Sequence, residues 1–138
     1  MAVKDQSTDL KVETALAGQN ITSNTTTNGA DIFTADYQSV TFVGMVGPHT
    51  DGAYAVALEE DTDDGSGSAD GSWSSVASDD LIGDAPTKES AGWFKLGYRG
   101  ILPHVRVTVT STGVTSGAYV SAMALLGHAR EAPFTATT

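Results

Sequence analysis

The sequence contains no cysteine. That excludes a disulfide framework, thiolate metal sites and cysteine nucleophiles. No stretch approaches the roughly 20 consecutive apolar residues of a membrane-spanning helix, so no membrane partner is expected. The opening MAVKDQSTDLKVET lacks the basic-then-apolar pattern of a secretory leader. If the protein acts outside a cell, host lysis is one expected route of release. Basic residues are scarce: 7 Lys and Arg stand against 17 Asp and Glu, a net charge of -10. Phosphate binding depends on clustered cations, so direct nucleic-acid binding is not expected. Helical patterning is missing too. No window of a dozen residues places apolar side chains at i, i+3, i+4 and i+7 without a breaker.

The scarcity of cations is uneven. Residues 12–87 hold no Lys or Arg but 13 Asp or Glu. From residue 88 onward there are five cations (Lys88, Lys95, Arg99, Arg106, Arg130) and two acids, Glu89 and Glu131. Such a chain presents a solvated acidic surface, or turns a less acidic side toward a partner.

What is present is period-2 alternation between Gly, Asp, Asn and Pro breaks. In 103–111 (PHVRVTVTS), Val105, Val107 and Val109 face one way, while His104, Arg106, Thr108 and Thr110 face the other. A strand of this kind has one face in a core and one in solvent. Residues 52–59 (GAYAVALE) and 93–98 (WFKLGY) alternate in the same way. Residues 38–46 (QSVTFVGMV) and 118–126 (AYVSAMALL) are apolar on both faces, which calls for cover by a second layer or another subunit. Weaker strand signals lie at 10–16, 20–26 and 71–77. Turns are expected at 28–29, 48–52, 63–71, 84–86 and 113–117. About eight strands in 138 residues predict an all-β fold: a single jelly-roll-like β-sandwich over 11–128, with extended arms at 1–10 and 129–138. The segment 59–71 (EEDTDDGSGSADG) is expected to be an exposed loop that buries nothing.

No catalytic constellation emerges. His49, His104 and His128 are scattered, without HxH or HExxH spacing. There is no GxSxG elbow, phosphate loop or dinucleotide fingerprint, so neither catalytic residues nor cofactor-binding residues are assigned. Glu60, Thr62, Asp64 and Gly65 fit offsets 1, 3, 5 and 6 of a calcium loop, but Gly71 stands where the bidentate Glu belongs. No metal ligands are assigned. Trp73 and Trp93 would suggest sugar stacking if exposed, and core or interface packing otherwise. Lys95 and Arg106 are expected on outward strand positions, with Arg99 in the turn between. If those strands are near neighbours, the three cations form one basic docking patch.

Several segments together resemble the small decoration, or cement, proteins of tailed-bacteriophage heads. They are ADYQSVTFVGMVG, AYAVALEEDTDDGSGSADGSWSSVASDDLIG, KLGYRGILPHVRVTVTSTG and VSAMALLGHAREAP, spanning about residues 36–133. The acidic turn departs from the pattern by an extra Gly-Ser-Ala-Asp-Gly. The resemblance implies a β-sandwich on the capsid exterior of the virion, made in the host cytoplasm, with the major capsid protein as partner. A homo-oligomer, with a homotrimer favoured, is the expected state. Two other readings are a head-fibre base or tail-associated virion domain, and a carbohydrate-binding β-sandwich module.

Overall fold

The computed structural model describes residue 7 and residues 9–129. The alternating runs become strands: β1 (Leu10–Ile21), β2 (Thr26–Asn28), β3 (Ile32–Phe33), β4 (Tyr37–Val46), β5 (Ala53–Asp61), β6 (Ser74–Ser75), β7 (Leu81–Ile82), β8 (Thr87–Lys88), β9 (Gly92–Tyr98), β10 (His104–Thr112) and β11 (Ala118–Ala129). Among the described residues there is no α-helix, only a short 3-10 turn at Ser78–Asp80.

The strands form two antiparallel sheets. The first runs β1-β11-β4-β9-β7, and the second runs β2-β10-β5-β6, with β3 also on β10 and β8 also on β5. The first strand pairs with the last, β2 with β10, and β4 with β9. The chain is thus a long hairpin rolled upon itself, the winding of a jelly roll. The expected all-β sandwich is the fold this chain adopts.

Alternation fills the space between the sheets. Val105, Val107 and Val109 of β10 are fully buried, opposite Glu60, Leu58 and Val56 of β5. They share the core with Phe42 and Val46 of β4, Phe94 and Leu96 of β9, and Val120, Ala124 and Leu126 of β11. Burying a Val or Leu side chain stabilises by about 1.5–3 kcal/mol, so such a core holds without covalent staples.

Several local expectations need correction. The weak signal at 20–26 is not one strand: Asn20 and Ile21 finish β1, and β2 begins only at Thr26. Register shifts at Thr14/Leu16 and Leu16/Gln19 bulge β1 and bury Ala15 and Leu16 side by side. A bulge breaks alternation, which hid the second half of this strand. The 71–77 signal shrinks to the two residues of β6, and Asn28, expected in a turn, closes β2. The acidic segment is not wholly a loop. Glu59, Glu60 and Asp61 belong to β5, and Asp61 is 3% exposed. Leu10 and Ala129, expected in the arms, lie in β1 and β11. The rest of the expected arms, apart from Ser7 and Asp9, lies outside the described residues.

Candidate interaction surfaces

Lys95, Arg99 and Arg106 are not brought together as one patch. Lys95 is on β9 of the first sheet and Arg106 on β10 of the second, on strands that do not pair. Arg106 is committed locally. Its guanidinium meets the Glu59 carboxylate through Nη2 at 2.6 Å and Nε at 2.8 Å, and lies 4.4 Å from the Trp73 ring centroid. Cross-strand pairing sets Arg106 opposite Glu59. Trp73 is therefore half-covered, whereas Trp93 is 68% exposed on the outer side of β9.

Arg99 begins a braced loop between β9 and β10. Its N–H donates to the Asp80 carbonyl (2.9 Å) and its Nε to the Asp79 carbonyl (2.7 Å). The buried Tyr98 hydroxyl donates to Glu60 (2.8 Å) and accepts the Leu102 N–H (3.1 Å). Burial, reinforced by the Glu60 carboxylate, pushes the Tyr98 phenol above its usual range, so it stays protonated. Thr34 Oγ1 donates to the Leu102 and Pro103 carbonyls at 3.1 Å, and its N–H to Pro103 at 2.7 Å. A Cβ at Gly100 would strike the Tyr98 ring and hydroxyl, so only glycine lets the loop cross here. At its tip stands Ile101, 96% exposed. A single exposed apolar side chain is ordinary on a protein surface; Ile101 is set apart by standing almost wholly in solvent on a loop braced by hydrogen bonds.

His104 was expected on the solvent face of its strand. It is 1% exposed, with its Nδ1 2.8 Å from Asp31 and its Nε2 2.8 Å from Asp63. Carboxylates on both ring nitrogens require both to donate, which is the charged imidazolium. Burial opposes that charge, but the bonds to Asp63 and Asp31 outweigh it and raise the His104 pKa. Asp63 is lowered in turn, by His104 first and then by the Gly65 and Gly67 N–H groups.

The acidic turn that follows is organised by its own carboxylates. Asp61 accepts the Thr62 N–H (2.8 Å) and the Gly71 N–H (2.6 Å), closing the turn at its base. Asp63 accepts Gly65 N–H, and Asp64 accepts the N–H and hydroxyl of Ser66. Among the described residues no three His, Asp or Glu side chains converge as metal ligands. The sequence named His104 but not its partners, because Asp31 and Asp63 lie 73 and 41 residues away. Ile101 carried no sequence signal, since its exposure depends on the bracing of the loop. No family model, curated protein or solved structure matches the chain.

Proposed function

We propose that this protein decorates the head of a tailed bacteriophage, binding the outer surface of the major capsid protein shell and stabilising it against the pressure of packaged DNA. The resemblance supplies the shell, and the observation that carries docking is the loop Tyr98–Arg99–Gly100–Ile101. An apolar tip already held by hydrogen bonds loses little conformational entropy on binding, so more of its burial is realised as affinity. Beside it, Arg99 is an exposed cation on a module of net charge -10. As a proposal, it orients approach to an acidic shell and speeds encounter. Of the three cations considered for docking, this reading keeps Arg99; Lys95 and Arg106 point elsewhere.

The test is binding of purified protein to shells stripped of their decoration, at low and high salt. Ile101→Asp should abolish binding, and Arg99→Ser should slow association at low salt only, with both melting temperatures near wild type. Normal decoration by Ile101→Asp would overturn the tip, and failure of the wild type to bind any shell would overturn the reading. The exposed ring of Trp93 favours a second reading, carbohydrate binding by stacking. Glycan binding lost in Trp93→Ala would establish it.

A further inference from the structure

Five of the seven large apolar residues exposed among the described residues share one surface, the outer face of the first sheet: Val12, Ile82, Trp93, Tyr119 and Met123. Strand register lays this face out in rows. One row crosses Val12, Leu125, Thr41, Gly97 and Ile82; the next crosses Thr14, Met123, Val43 and Lys95. A third crosses Ser121, Met45 and Trp93. These rows hold no carboxylate, in a chain with 17. The one charge in these rows, Lys95, is exposed on β9 beyond the two residues that pair with β7, near the margin of the sheet, from which a long side chain can carry its charge into solvent.

We infer that this face is an interface between copies of this chain. Strands β4 and β11 have apolar residues on both sides, and the second sheet covers only one. The five exposed side chains alone offer roughly 500–600 Å² of surface, at about 150–250 Å² per whole aromatic. Val43, Met45 and Leu125 add to this. That is at the top of what a lone soluble domain displays and approaches the ~800 Å² each partner gives a standard interface. Charge selects the partner. Two copies carrying -10 each repel through their carboxylate-bearing surfaces, and these rows let them meet without opposing carboxylates. A shallow depression of about 300 Å³ between Val12 and Trp93 gives the face relief into which side chains of the facing copy can pack; the one carboxylate lining it, Glu13 on β1, is ion-paired with Lys11 at 2.8 Å. The inference does not depend on the capsid reading, which uses the Ile101 loop.

Sedimentation velocity on the full chain over 1–100 µM (about) tests it. Wild type should run as a multiple of 14.2 kDa, with the multiple giving the closure. Met123→Glu and Trp93→Glu, each placing a carboxylate at an exposed outward position, should shift the protein to monomer with unchanged far-ultraviolet dichroism. Thr110→Glu, on the outer face of the second sheet, should leave the mass unaltered. A monomeric wild type at the highest concentration would overturn the inference. So would a folded Met123→Glu or Trp93→Glu that keeps the wild-type mass, or a Thr110→Glu that dissociates as readily as they do.

Discussion

Val107 and Arg106 are adjacent in sequence and opposite in surroundings. Val107 is fully buried between the sheets, and nothing there can pair a carboxylate. Val107→Asp should therefore cost more than about 4 kcal/mol and abolish soluble expression. Arg106→Ser gives up a partly exposed ion pair and a contact with Trp73, together about 1–2 kcal/mol, readable as a modest shift in denaturation midpoint. His104 gives a residue-scale prediction in pH. The groups facing it are Asp31 and Asp63, with Asp61 opposite on β5 and Asp64 nearby in the turn. A raised histidine pKa means its contribution is complete below about 6.5 and lost as pH rises through the folded value. The lowered Asp63 works the other way, contributing above about 3.8 and failing as pH falls through its folded value. The melting temperature should be highest between about pH 4 and 6.5. His104→Gln should be less stable there and should lose most of the alkaline decline. An unchanged alkaline limb would show that the ring is not charged in the fold.

At the scale of elements, the strands were legible and their ends were not. Patterns such as Val105-Val107-Val109 need only a neighbour two residues away, so β4, β5, β9, β10 and β11 could be placed within a few residues. The short strands β3, β7 and β8 were missed, because two residues cannot show a period and exist only by pairing with distant partners. The acidic turn was misread for a related reason. Its composition says solvent, but Asp61 at its base is buried and holds two N–H groups. Asp61→Ala should loosen residues 62–71 with little effect on the sheets. Two bonds to a charged acceptor, each on the order of 1.5–3 kcal/mol, correspond to at least a tenfold rise in amide hydrogen exchange across the turn. Unchanged exchange would mean that its other carboxylates suffice.

For the whole molecule, cohesion comes from the interlocked sheets. The carboxylates of the acidic turn already accept N–H, hydroxyl and imidazole donors, so a calcium ion would have to displace them. Chelator treatment should leave the melting temperature within about 2 °C, since only an ion bound to the native state would stabilise by mass action. A larger drop would reveal a specific ion. The sequence by itself determined the all-β class, the inward valines of β10 and the lack of disulfide chemistry. Each of these is a property of residue type or of spacing along one strand. Only the tertiary structure decided what the outward positions meet. Lys95, His104 and Arg106 carry the same outward signal, yet one lies at the rim of an apolar face, one is buried between two carboxylates, and one is paired across strands. The physical reason is strand pairing. Rolling the hairpin sets β9 and β10 in different sheets and carries Asp31 and Asp63 to His104, through hydrogen bonds between segments whose separation no local periodicity records.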